Sequence, residues 1–379
     1  MAGAEDFRNG LKNEIAGIYI INDETIAITL RRPFPAFEDY LAEPGGYIIP
    51  KPGNISTGTN VIGVGPYRMK WSDPSGLVLE PSNPGSPDAF LDSLRFVHYT
   101  NTEEAGLAFE LGKLDLITLL GEPPPKFIAR GNYSSQNSIT DTYVILGLNN
   151  QHGFQAGQDF GRAMSFLLDR GSIIRAILGG SAAQPTIKLS ESMSFPLYDP
   201  FMPDSAAYYL DKVISSTKTL TLYVDSSYSI LGKVARYLEG QLQNRGFKII
   251  EKKINLGLPV VPRTLNDIDL YLTTYIPVSN NTDCMFYPLL SSALSGETNF
   301  LHYDDEATQV FLDNLRSEID PDRRLSIASG LAQSIAFSPP VVFLYQPHLS
   351  IFAKADISGI VGERSGYLDL RSVFIEVER

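Results

Sequence analysis

Two apolar runs nearly two hundred residues apart, 142–148 (TYVILGL) and 341–345 (VVFLY), constrain this fold more than any other feature. Between them the pattern alternates. Residues 219–224 read as a strand, 230–243 as an amphipathic helix, 247–254 and 268–274 as further strands. That alternation is expected of parallel strands joined by helical crossovers. Helices are predicted at 308–318 and 323–336, the second begun after Asp320-Pro321, and Pro339-Pro340 halts it before the return run. The run at 142–148 is read as leaving one lobe for another, and the run at 341–345 as entering the crossing back.

The first part of the chain has its own α/β pattern. Residues 18–30 read as a hairpin turning at Asn22-Asp23-Glu24, with Ile26, Ile28 and Leu30 alternating. Pro33, Pro35, Pro50 and Pro52 break the next region into loops and one short helix near 37–41. A second hairpin is predicted over 65–80, a strand over 94–99, a helix over 102–112 that Thr102 could cap, and a strand at LDLIT. The Glu122-Pro123-Pro124-Pro125 stretch and the polar run NYSSQNS precede the first crossing. Two lobes joined by two crossings can close on a solute, the crossings absorbing the motion.

Length allows two or three domains, 379 residues being enough for a well-buried core. A net charge of −12 argues against nucleic acid or an anionic membrane as partner, because both need clustered Lys and Arg. No run reaches the eighteen apolar residues of a membrane span, so no direct membrane insertion is expected. The opening MAGAEDFRNGLKNE lacks the apolar segment of a secretory signal. The single cysteine, Cys284, leaves no internal disulfide framework and no Cys-based zinc site.

Catalytic chemistry finds little support. His98, His152, His302 and His348 are far apart and form no HxxxH pair, so no metal is expected. Ser215-Ser216-Thr217-Lys218 has the Ser-x-x-Lys spacing of acylating enzymes, but it sits in a polar turn before a strand and its companion motifs are absent. Gly63-Val64-Gly65 lacks the third glycine of a phosphate loop. Asp304, Asp305 and Glu306 lack calcium-loop spacing and read as a charged first helical turn. Asp169-Arg170 are adjacent on a helix and do not face one another. No catalytic residue and no cofactor is assigned.

Gly65-Pro66-Tyr67, then Gly112-Lys113-Leu114-Asp115-Leu116, then the strand ending in Leu148-Asn149-Asn150, the helix with Asp169-Arg170, and the return at Phe343-Leu344-Tyr345 occur in an order that resembles one family. The chain is similar, from about Glu5 to Ile360, to the peptide/nickel class of bacterial extracellular solute-binding proteins, the receptors of ATP-driven importers. The resemblance implies a two-lobed α/β fold of the type II, peptide-binding-protein-like periplasmic architecture. It also implies a structural role for Asp169-Arg170. Ala4-Glu5-Asp6-Phe7 resembles a helix opening that family members place after a signal and a long segment, so a truncated first lobe and accessory domain are expected. Residues 1–37 would be the remnant of that domain, 38–141 with 347–379 the first lobe, and 142–346 the second, with hinge crossings near 142–150 and 341–348.

In peptide-binding relatives a tryptophan and, seven residues before a phenylalanine like Phe286, an amine-pairing aspartate follow the strand at 268–274. Here the aspartate position falls on Ser279 and the tryptophan position near Tyr275 or Ile276; the nearest carboxylate is Asp283. A buried ammonium needs a charged or strongly hydrogen-bonding partner, so a neutral polar ligand, or one contacted mainly through backbone groups and aromatics, becomes the more natural guest. Tyrosine suits a pocket through its large apolar face and single hydroxyl. Tyr143, Asn149, Tyr275, Ser279, Asn280, Asp283 and Tyr345 are the expected ligand-binding residues. The expected function is the substrate-binding component of an ABC-type importer, not an enzyme. It would be periplasmic or extracellular, and would bind a peptide or similar small solute between the lobes and hand it to a membrane permease. The alternative is a non-transport descendant that has lost or changed its ligand.

Overall fold

The computed structural model describes residues 1–42, 46–47, 63, 65–83, 85, 88–122, 133–151, 157–190, 192–213, 219–254, 268–279, 281–295, 298–364, 366 and 368–376. Asn280, His152, Pro123-Pro124-Pro125 and the Ser215–Lys218 motif lie outside them.

A short helix, α1 (Ala4–Arg8), leads to a hairpin of β1 (Ile18–Asn22) and β2 (Thr25–Ile28), where Asn22 Oδ1 accepts from the Glu24 amide at 2.9 Å and closes the expected turn. After α2 (Phe37–Ala42) come β3 (Tyr67–Asp73), β4 (Gly76–Pro81) and β5 (Leu94–Val97), an antiparallel sheet of three strands. The Asp73 carboxylate accepts from Ser75 at 2.6 Å and shapes the turn between the first two. Helix α3 (Thr102–Glu110) is capped by Asn101, not Thr102: the Asn101 side chain accepts from the Glu104 amide at 2.8 Å.

The main sheet is built from β6 (Leu116–Leu120), β7 (Tyr133–Ile139), β8 (Tyr143–Leu148), β9 (Ala182–Ala183), β12 (Thr219–Asp225), β13 (Lys248–Ile254), β14 (Leu270–Tyr275) and β15 (Val341–Lys354). Hairpin β10 (Thr186–Ser190) with β11 (Met193–Pro196) stands apart from it. Strand β12 runs parallel to β13 and β14, as the alternation predicts, while β8 is antiparallel to β14. The polar run NYSSQNS contributes to β7, which the sequence pattern does not announce. Its neighbour β15 supplies the order, pairing from Ile139 with His348 to Tyr133 with Lys354.

Strand β15 joins the two halves. Its first residues pair with β8, from Val341 opposite Gly147 to Tyr345 opposite Val144; its last lie between β6 and β7. A bulge interrupts the β8 ladder between Phe343 and Tyr345. Below it Val341 and Phe343 share one face with Tyr143 and Ile145, whereas Val342, Leu344 and Tyr345 all join the core on the other.

Both faces of the second half are covered. Leucines 146, 220, 222, 270 and 272 pack under α4 (Gln158–Leu167), α6 (Pro203–Val213) and α7 (Leu231–Gln243). Tyr143, Ile145 and Phe343 pack under α8 (Thr282–Leu290), α9 (Glu306–Ser317) and α10 (Pro321–Phe337). Each such apolar side chain contributes about 1.5–3 kcal/mol of transfer free energy. Helix α4 comes so close to β15 that a Cβ on Gly161 would overlap the Pro339 carbonyl. Asp305 and Asp320 cap α9 and α10, accepting from the Thr308 and Arg323 amides at 2.7 and 2.9 Å.

The helix break at 169–170 has a structural cause. Asp169 caps α5 (Arg170–Ser172), accepting from the Ser172 amide at 3.0 Å, and a π-helical turn, Ile173–Ile177, continues it. Arg170 is buried, its Nε donating to the Phe343 carbonyl at 2.7 Å and Nη1 to the Ser165 carbonyl at 2.9 Å. It thereby fastens this helix to β15.

Residues 34–40 dock on the second half. Phe34 and Tyr40 flank Arg316 of α9, at 4.2 and 5.6 Å from its guanidinium carbon, and Asp39 accepts from Asn281 at 3.2 Å. A division at 37/38 with the first lobe on its far side therefore cuts through a packed unit. The aromatic rings of this segment find their partners on α8 and α9.

Candidate ligand cleft

At one end of the main sheet the strand directions change. Parallel strands β12 and β14 finish there at Asp225 and Tyr275, and antiparallel β8 begins at Tyr143, paired with Tyr275. Open α/β sheets place ligands outside the carboxyl ends of their strands at such a switch. At the same end β15 leaves β8 at Tyr345 and enters the other half at His348. The two halves approach here: Ser229 Oγ, just before α7, donates to Glu122 Oε1, just after β6, at 3.1 Å.

The floor of this gap is tightly bonded. Thr140 Oγ1 donates to the Pro347 carbonyl at 2.7 Å, and Gln346 Oε1 accepts from the Thr186 amide at 2.8 Å. Gly121 N donates to the His348 carbonyl at 2.9 Å, and a Cβ on Gly121 would stand 2.7 Å from Pro347 Cβ and 3.8 Å from Tyr345 Cε2. Asp141 is held by Arg364, Nη2 to Oδ1 at 2.6 Å. Three side-chain atoms in this region are buried without a hydrogen-bond partner: Thr142 Oγ1, Tyr345 Oη and His348 Nε2. Burial lowers the pKa of His348. Burial, with Glu122 nearby, raises that of Tyr345, whose hydroxyl keeps its proton.

The expected ligand residues separate sharply. Tyr143 is in the core, its hydroxyl donating to the Thr186 carbonyl at 2.8 Å, and Tyr275 likewise to the Met285 carbonyl at 2.6 Å. Asn149 sits at the opposite end of β8, roughly 20 Å along the strand from Tyr143; its Nδ2 donates to the Ile268 carbonyl at 2.7 Å. Ser279 Oγ accepts from the Asn281 amide at 3.2 Å and bonds to the Cys284 thiol, which burial pushes up to about 12. Asp283 is fully buried against Arg316 at 3.4 Å. Tyr143, Asn149, Tyr275 and Ser279 have committed polar atoms to the protein itself, while Asp283 keeps Oδ1 without a partner. Asn280 is outside the described residues. Of the seven, Tyr345 alone among the described residues has an uncommitted hydroxyl.

In the sequence Glu122 is only the residue between a strand and a proline run; nothing in that stretch marks it as facing Ser229. Thr142 and His348 are ordinary strand residues there, and only burial distinguishes them. Among the described residues no three His, Cys, Asp or Glu side chains gather as a metal site. No helix among them is long and apolar enough to cross a membrane.

The model of the bacterial extracellular solute-binding proteins, family 5 (middle region), matches residues 2–297. The chain belongs to that family. It is a substrate-binding component of an ABC-type importer, with the mixed α/β fold of the type II periplasmic binding proteins. The glutathione-binding protein GsiB of Pectobacterium atrosepticum is 21% identical over 347 residues, covering 86% of this chain and 67% of its own. DppA from Helicobacter pylori, solved with the peptide STSA, superposes with a TM-score of 0.81 at 18% identity, covering 97% of this chain and 75% of that one. NikZ from Campylobacter jejuni, solved with Ni(L-His), gives 0.79 at 18% identity, with 98% and 83% covered. The family match favours the receptor role over a descendant without transport.

Proposed function

We propose that this receptor binds a peptide or peptide-like solute between its two halves, closes on it, and delivers it to a membrane permease at the cell envelope, catalysing no reaction. The carrying observation is the geometry around β15. One strand belongs to both halves, and Glu122 and Ser229 meet directly across the gap beside it. On this reading residues 142–346 form one lobe, joined by residues 34–40, and the strands at 142–148 and 341–348 act as the hinge. Tyr345, at the hinge with its hydroxyl free, is the ligand contact retained from the expected set. The relative named for glutathione and the neighbour holding STSA both support the peptide class.

Calorimetric titration tests this with defined tripeptides, glutathione and nickel–histidine. A peptide present at a hundred times its dissociation constant should add about 2.7 kcal/mol to the stability of the folded chain. A response to nickel–histidine alone would replace the peptide class with a metal chelate, and silence from every probe in a folded sample would sink the receptor reading.

A further inference from the structure

The sequence places Ser279 where peptide-binding relatives carry an amine-pairing aspartate, and its hydroxyl is consumed by Asn281 and Cys284. A second carboxylate stands at the cleft. Glu122 is half-buried at the end of β6 and faces the opposite half, where among the described residues it meets the neutral Ser229 hydroxyl. Immediately before it, Gly121 lies against the Tyr345 ring, with no side chain to separate the two. Tyr345 is 1% exposed, and its hydroxyl has no partner.

A buried orphan hydroxyl is destabilising relative to a paired one, and a carboxylate between lobes attracts a cation more strongly once water is expelled. One guest satisfies both groups: a solute N–H cation that bonds to the carboxylate and is also accepted by the phenolic oxygen. Resting on the receptor reading, we infer that Glu122 and Tyr345 form a subsite for an ammonium group of the solute, taking over at the β6 end of the cleft the recognition that Ser279 cannot supply. The Glu122–Ser229 bond is then the unliganded arrangement, in which the serine hydroxyl occupies one lone pair of the carboxylate. The solute ammonium takes others, since a carboxylate accepts at several sites.

The test is thermal unfolding of the full chain with three probes: a tripeptide mixture with free amino termini, the same mixture N-acetylated, and nickel–histidine. The expected result is stabilisation by the free mixture, with acetylation weakening binding by about tenfold or more. Glu122→Gln keeps a group that can bond Ser229 and should erase the difference between the two mixtures. Tyr345→Phe removes the orphan hydroxyl, so the unliganded midpoint should hold or rise while the response to the free mixture falls. A merely structural tyrosine would move the first reading alone. Ser229→Ala leaves the carboxylate in place and should preserve the discrimination. Equal responses to both mixtures, or a free-mixture response unchanged in Glu122→Gln, overturn the subsite while the receptor reading stands. A response to nickel–histidine alone overturns the subsite and the peptide class together, leaving the receptor role. No response to any probe overturns both.

Discussion

Arg316 Nη1 lies 3.4 Å from the buried Asp283 Oδ2, tying α9 to the first turn of α8. The same guanidinium carbon stands 3.8 Å from the Tyr287 ring centre and 4.2 Å from that of Phe34. One cation thus holds a carboxylate, a helix and the N-terminal segment together. Arg316→Ala leaves Asp283 buried without its partner and should destabilise by about 3 kcal/mol in urea unfolding. Arg316→Lys should recover little, because an ammonium cannot lie flat between two rings.

The pH dependence of Asp283 follows from its burial. Desolvation raises its pKa above the ordinary 3.8, and Arg316 opposes that only in part. A raised folded pKa contributes stability that is fully present below the unfolded value and is lost as pH rises through the folded one. The deficit of Asp283→Asn against the parent should therefore shrink between pH 3 and the folded pKa of Asp283. A deficit that widens over that interval would mean the arginine outweighs burial. Asp369 runs the opposite way: held by Arg371, it falls to about 2, so its contribution persists until strongly acid conditions.

How much of the fold is legible in the sequence depends on the range of the forces involved. Strand β12, helix α7 and strand β14 follow local periodicity, and their apolar residues point where alternation puts them. Strand β7 escapes such a reading because its register is imposed by β15 through backbone bonds, and its side chains are mostly polar and half-exposed. The docking of Phe34 and Tyr40 on Arg316 joins residues far apart in the chain, and no local pattern encodes it. The cleft is the least legible part. Tyr143 and Tyr275 have the composition of ligand contacts, yet their hydroxyls bond carbonyls inside the core.

The helix cap offers a clean check. Asn101→Ala should cost about 1 kcal/mol, since it strands the Glu104 amide. Thr102→Ala, inside the first turn, should stay within about 0.5 kcal/mol. Equal effects in chemical unfolding would reassign the cap.

Tyr143→Phe and Tyr275→Phe should each destabilise by about 1–2 kcal/mol, because the Thr186 and Met285 carbonyls lose their donors. Neither should alter which solute binds. A change of ligand preference in titration would show that these hydroxyls leave the core on closure.

At Gly161 the contact is steric. Alanine there meets the Pro339 carbonyl, a backbone atom that cannot swing away, and should destabilise by about 1–3 kcal/mol despite its better helix propensity. Stabilisation in a denaturant series would show that α4 and the entry to β15 can separate.

The bulge before Tyr345 changes the phase of β15. Strand side chains repeat every two residues, so if the same residues paired without the bulge Tyr345 would join Phe343 in the layer under α8 and α9. With it, the ring enters the α7 side, where Ser229 and Glu122 meet. Deleting Leu344 would pair Phe343 with Ile145 and Tyr345 with Val144 in an unbroken ladder, leaving the faces of the residues beyond it as they are and taking one leucine from the core on the α7 side.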